Sequence, residues 1–147
     1  MLSQQQADDY RNHGYLALER WVDDTWLNRL SNASDYHVER SKELGASGKG
    51  LDLEPDHTAE CPRLRRLTSP VDHDETFREF ALEGPAAALA QAILGGPVRF
   101  HHSKLNYKWS DGGEEVKWHQ DIQFWPHTDF SPLTIGVYLD DVDDEMG

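Results

Sequence analysis

The break at Gly95-Gly96-Pro97 constrains the fold of this chain more than any other feature. Before it, most apolar residues recur at helical spacing; after it, they alternate. Paired glycines stop a helix and a proline cannot carry it on. Residues 1–96 are therefore expected to be mainly helical and residues 97–147 strand-rich, within a single domain of 147 residues. Helices first and antiparallel strands second is an α+β arrangement, with the helices buttressing a sheet.

On the helical side, Ser3 can cap a helix over 3–12 that Gly14 ends, and Tyr15 to Leu18 reads as a short strand. Asp23 or Asp24 starts a second helix that runs to about Leu44, with Trp26, Leu27, Leu30 and Ala33 on one stripe. His37, on that helix, reads as a partly buried surface histidine. Residues 45–62 hold Gly45, Gly48, Gly50, Pro55 and Pro62 and read as a long loop, in which Leu51 to Glu54 alternates and could pair as an edge strand. Arg63, Arg65 and Arg66 form the basic cluster of the chain, read as a solvated turn, with a substrate-anion role as the alternative. Asp72 or Asp74 begins a helix through Phe77 and Phe80. Pro85 to Leu94 is the clearest helix, with proline in its first turn and glycines at its end.

On the strand side, Val98 to Lys108 reads as extended but carries polar groups on both faces. Phe100, His102, Lys104, Asn106 and Lys108 share one face; Arg99, His101, Ser103, Leu105 and Tyr107 share the other. Such groups need partners, so one face could line a polar cavity. Asp111-Gly112-Gly113 is a turn, and Glu115 to Asp121 returns as the next strand. Leu133, Ile135, Val137 and Leu139 alternate cleanly, and Gly136 on the opposite face leaves room for a neighbour. The closing acidic run, Asp140 to Glu145, reads as a solvated turn.

The densest chemistry lies between Lys117 and Asp129. On an extended strand His119 and Asp121 point the same way, and an imidazole beside a carboxylate is two thirds of a facial triad for non-haem Fe(II). The spacing alone is weak, because His127-Thr128-Asp129, His37-Val38-Glu39 and His73-Asp74-Glu75 share it. Context separates them: His37 and His73 lie in helical segments and His127 lies between prolines in a loop.

Composition narrows the partners. A formal net charge of -13 disfavours nucleic acid and anionic membrane surfaces. Five Trp, five Tyr and five Phe argue against disorder. Cys61 is the lone cysteine, so no internal disulfide forms; with a polar N-terminus and no bilayer-length apolar run, a cytoplasmic location is expected.

Three passages resemble the phytanoyl-CoA dioxygenase family, which includes ectoine hydroxylase. They are Asp9 to Leu18, Ser103 to Asn106, and Trp118-His119-Gln120-Asp121 through Tyr138-Leu139-Asp140-Asp141. The resemblance implies a double-stranded β-helix, a cupin-like jelly roll, and dependence on Fe(II) and 2-oxoglutarate. It implies His119 and Asp121 as metal ligands, and His102, Lys104, Asn106, Val116, Gln120 and Val137 around the co-substrate. Phe124, Trp125 and His127 are then expected to contact a small organic substrate, which is hydroxylated with O2. The family pattern continues to a third, distal histidine and an arginine that grips 2-oxoglutarate, neither of which is matched here. The expectation is an incomplete barrel, an N-terminal fragment with little turnover of its own. A non-catalytic module holding a metal or small ligand is the alternative, and a closed, four-coordinate zinc site would mark it.

Overall fold

The computed structural model describes residues 2–111, 113, 117–124, 128–129, 131–143 and 145–146. Helix α1, Gln4–His13, opens on a capping box: the Gln6 backbone N–H donates to Ser3 Oγ, and Gln6 Oε1 accepts from the Ser3 N–H at 2.9 Å. Gly14 closes it in the left-handed region. The expected strand at Tyr15 to Leu18 does not form, and Tyr15 stands in solvent.

Helix α2, Asp24–Ser41, starts where the Asp23 carboxylate accepts from the Trp26 N–H at 2.8 Å. It ends three residues before Leu44. Its buried stripe is Leu30, Ala33, His37 and Ser41, one side of a helix at steps of three and four. Strand β1, Leu51–Leu53, is the edge strand that its alternation suggested. A two-residue hairpin leads into it: Gly48 and Leu51 exchange both backbone hydrogen bonds at 2.9 Å around Lys49 and Gly50. Both central residues have positive φ, as a type I′ turn requires.

Strand β2, Leu64–Thr68, is the central strand of a three-stranded antiparallel sheet. It overturns the reading of Arg63 to Arg66 as a solvated turn. Leu64 and Leu67 are fully buried, and the arginines between them occupy the other face. It also means that two of three strands come from the part of the chain expected to be mainly helical. The third, β3, is Lys104–Asn106, a short piece of the extended stretch expected over Val98 to Lys108. It pairs Asn106 with Arg66 and Lys104 with Thr68.

Helix α3, Pro70–His73, and helix α4, Glu75–Leu82, follow β2; Asp74 caps α4 by accepting the Thr76 N–H at 2.8 Å. Helix α5, Pro85–Leu94, has the proline start and left-handed Gly95 stop expected of it. The core lies between α2, α4 and the sheet: Leu30, Ala33, Leu51, Leu64, Leu67, Phe77 and Phe80. Trp21 and Trp26 pack edge-on against Phe80 at 6.1 and 5.5 Å between ring centres. Tyr107 donates its hydroxyl to the Ser34 carbonyl at 3.2 Å, and burial pushes its pKa up to about 12.

His37 is fully enclosed, not half at the surface. Its Nε2 lies 3.5 Å from Asp74 Oδ2, and its Nδ1 faces the Arg40 guanidinium at 3.3 Å. Desolvation lowers its pKa against the opposing pull of Asp74, with Arg40 and His73 adding to the decrease. The run Leu133 to Leu139 keeps its alternating burial, and Val137 and Leu139 pack on the core, yet it joins no ladder among the described residues. Alternation comes from the chain's own pleat, whereas a strand also needs a neighbour to bond with. The structure is thus a mixture of helices and a small antiparallel sheet that does not close on itself.

Candidate metal-binding site

The return strand expected over Glu115 to Asp121 is not what aligns His119 and Asp121. Glu115 and Val116 lie outside the described residues, 117–120 take no regular structure, and Asp121 opens a 3-10 turn, Asp121–Phe124. The Gln123 N–H donates to the Gln120 carbonyl at 3.3 Å at its start. The two side chains still converge: His119 Nε2 is 3.2 Å from Asp121 Oδ1, with both side chains about one third exposed. The Lys117 carbonyl lies 2.7 Å from His119 Nδ1. A carbonyl can only accept, so Nδ1 carries a proton and Nε2 is the nitrogen turned to the carboxylate. Two acceptors at that distance call for a cation between them, either a proton or a metal. For metal–ligand lengths of about 2.1 Å, ligands at right angles stand about 3.0 Å apart. The donor set therefore fits two adjacent positions on a first-row metal. A backbone carbonyl that fixes the ring through its other nitrogen is the usual support of a ligating histidine.

Phe124 meets the His119 ring edge-on at 5.7 Å, and Trp118 projects fully into solvent. Gln120 is exposed beside them. Among the described residues, no third His, Cys, Asp or Glu completes a three-ligand cluster. His102 Nδ1 lies 2.7 Å from His101 Nδ1. Its pKa is lowered by desolvation first, then by His101 and Lys104, while Asp121 pulls it upward. The Asp121 carboxylate is thus within electrostatic reach of the segment that enters β3.

Lys104 and Asn106 occupy the exposed face of β3, opposite Leu105, which packs on the core. Asn106 Oδ1 accepts from Arg66 Nε at 3.2 Å, and Arg66 Nη1 lies 3.9 Å from Asp52 on β1. A row of polar groups therefore crosses all three strands on the face away from the core. Sequence reasoning separated Arg66 from this row, because nothing local in Arg65-Arg66 names Asn106 as a partner 40 residues on. Val137 is half-buried and packs on the core. Trp125 and His127, the other expected substrate contacts, and Val116 lie outside the described residues.

Arg63, another arginine of the cluster, is a tether. Its guanidinium donates to the Asp111 carbonyl, pairs with Asp56 at 3.2 Å and lies 5.9 Å from the centre of the Trp109 ring. Trp109 in turn donates Nε1–H to the Leu64 carbonyl at 2.8 Å. These contacts fasten the turn before the His119 segment to β2.

The sequence model of the phytanoyl-CoA dioxygenase family matches residues 10–147. A protein of Stutzerimonas stutzeri named as a probable alpha-ketoglutarate-dependent hypophosphite dioxygenase is 29% identical over 152 aligned positions, covering 100% of this chain and 51% of that protein. L-proline trans-4-hydroxylase of Streptomyces griseoviridis is 31% identical over 134 positions, 87% of this chain and 50% of the hydroxylase. Ectoine dioxygenase of Stutzerimonas stutzeri (strain A1501) is 27% identical, over 96% of this chain and 46% of that enzyme. The chain spans about half the length of these relatives.

Proposed function

This chain belongs to the phytanoyl-CoA dioxygenase family, and we propose from that premise that it forms part of an Fe(II)- and 2-oxoglutarate-dependent dioxygenase hydroxylating a small organic substrate. The observation that carries the reading is the pairing of His119 Nε2 with Asp121 Oδ1 at 3.2 Å, with Nδ1 held by the Lys117 carbonyl. These two residues hold the iron. When bound, iron with 2-oxoglutarate supplies the activation of O2 for C–H hydroxylation, with succinate and CO2 as the other products.

The chain's own groups bind and orient. His119 offers a neutral nitrogen and Asp121 a carboxylate, so the pair neutralises part of a divalent charge. The polar face of β3, with Lys104 and Asn106, and His102 ahead of it, faces the co-substrate. A lysine there favours a dicarboxylate in a chain that is otherwise strongly acidic. Val116, Gln120 and Val137 belong to the same surroundings. Phe124, with Trp125 and His127, limits what approaches the metal and excludes water from it. The relatives above are named for hypophosphite (that one as a probable dioxygenase), L-proline and ectoine, all compact molecules. A compact substrate is accordingly proposed here.

The sheet of β1, β2 and β3 and the alternating run from Leu133 to Leu139 are read as parts of one domain, a double-stranded β-helix whose barrel needs strands beyond those described. The third histidine and the 2-oxoglutarate-gripping arginine belong to the part of the family pattern that this chain does not span. A cytoplasmic location accords with the use of 2-oxoglutarate, and among the described residues no helix is long and apolar enough to cross a membrane.

The test is anaerobic titration of the 147-residue chain with Fe(II), and with Co(II) as a spectroscopic probe, beside His119→Ala and Asp121→Asn. Metal binding that either substitution weakens at least tenfold is expected, with little succinate formed under O2. Unchanged binding in both variants would refute the ligand assignment. Robust succinate formation would refute the need for a further ligand and anchor.

A further inference from the structure

On the sheet face away from the core, Arg66 of β2 stands opposite Asn106 of β3, and Thr68 stands opposite Lys104. Arg66 Nε donates to Asn106 Oδ1 at 3.2 Å. A guanidinium nitrogen can only donate, so the amide atom turned to Arg66 is the oxygen. The Asn106 NH2 is thereby turned away from Arg66, and no described residue accepts from it. An asparagine free to rotate would present its oxygen as readily as its nitrogen. Held by Arg66, this exposed one presents donors.

Charge on this face points the same way. Lys104 is exposed and forms no ion pair among the described residues. It lies diagonally across the ladder from Arg66, a backbone separation of about 7–8 Å that long side chains span. The Arg66 side chain is 37% exposed, and its partner Asp52 stands 3.9 Å from Nη1, beyond hydrogen-bonding length. Thr68 adds an exposed hydroxyl. We propose that Arg66 is a positioning residue for the co-substrate: by fixing the Asn106 amide, it aims the NH2 at a carboxylate of 2-oxoglutarate whose charge Lys104 balances. This rests on the reading of β3 as the co-substrate face, and adds to it a residue from another strand and the orientation of Asn106.

Other ligands match the face less well. A cation meets Arg66 and Lys104. A neutral molecule leaves the Lys104 charge unanswered. A carboxylate accepts from the amide N–H groups and the ammonium together, and bonds to a charged acceptor are the stronger kind. The formal net charge of -13 keeps such anions away from most of this chain, so a face where two cations stand together is where one can settle.

The experiment is a metal-free titration of the 147-residue chain with 2-oxoglutarate, followed by ¹H–¹⁵N NMR of the Asn106 side-chain NH2. A saturable shift of that NH2 is expected. Asn106→Ala and Arg66→Met each weaken binding at least fivefold, and the double variant stays within twofold of Asn106→Ala, because Arg66 acts through Asn106. Arg66→Gln carries a neutral N–H donor at the position of Nε and restores most of the affinity. If Arg66→Met does not fold, Asn106→Asp decides: its carboxylate still accepts from Arg66 but has no N–H to offer, and binding falls at least tenfold. An Asn106 NH2 that does not shift, non-saturating shifts, losses that multiply in the double variant, Arg66→Gln as weak as Arg66→Met, Asn106→Asp binding as the parent does, or equal binding of the neutral dimethyl ester would each overturn the proposal. With no metal present, His119→Ala leaves this titration unchanged. Failure here therefore leaves the metal-ligand assignment standing, and failure of that assignment leaves this result standing.

Discussion

Substituting Gly50 by alanine tests whether the tight turn before β1 is fixed by backbone conformation or only by packing. Gly50 has φ +82, and Lys49 before it has φ 53. The pair closes the Gly48–Leu51 hairpin, and the Gly50 carbonyl accepts the Thr68 N–H at 2.8 Å, tying the turn to the end of β2. A β-carbon at Gly50 costs about 1–2 kcal/mol from the left-handed conformation alone. It would also stand 2.5 Å from His73 Nε2. His73 is exposed, so its ring can swing aside and the collision adds about 0.5–1 kcal/mol, the low end of the ~0.5–3 kcal/mol coupling between residues in contact. The expected loss for Gly50→Ala is therefore about 1.5–3 kcal/mol. In a His73→Ala background it falls to the backbone part, about 1–2 kcal/mol. Urea unfolding followed by tryptophan fluorescence measures both, since the chain has five Trp. A loss below about 0.3 kcal/mol in both backgrounds would refute the positive-φ reading of the turn. Equal losses in the two backgrounds would refute the contact with His73.

Stability also responds to pH through His37. Its folded-state pKa lies below the ordinary 6.5 because burial disfavours the charged ring. The unfolded chain then takes up a proton at a higher pH than the folded chain does. Stability is complete above about pH 6.5, falls as pH drops through that value, and stops falling below the folded-state pKa. Unfolding curves between pH 7.5 and 5.5 should show this decline, and His37→Leu should flatten it; an unchanged slope would remove His37 as its source. Arg63→Ala removes the tether to Asp111 and Asp56. The expected loss is about 2 kcal/mol, typical of hydrogen bonds made by a charged group. Arg63→Lys restores only part of it, since an ammonium lacks the planar fork. Thermal unfolding of the three proteins in parallel checks the order, and a lysine variant as stable as the parent would contradict it.

The sequence by itself determined most helix ends, the C-terminus of α2 excepted. Ser3, Gly14, Asp23, Pro85 and Gly95 act where they were read to act, because a cap is a hydrogen bond or a φ angle within a few residues of its own position. The His-x-Asp motif was legible too, and so was the face on which Leu133, Ile135, Val137 and Leu139 lie. Only the tertiary structure decided the rest. Leu64 to Thr68 became a central strand, not a turn, because Leu51 and Asn106, far off in sequence, supply its ladder partners. His37 became a core residue because Asp74 and Phe77, from another helix, close over it. His119 and Asp121 meet across the start of a 3-10 turn, without the strand pleat that the spacing suggested. Glu54 and His57, ordinary loop residues by composition, acquire their unmet hydrogen bonds only once the hairpin buries them. Local bonding is written in neighbouring residues; burial and pairing depend on which distant segments arrive.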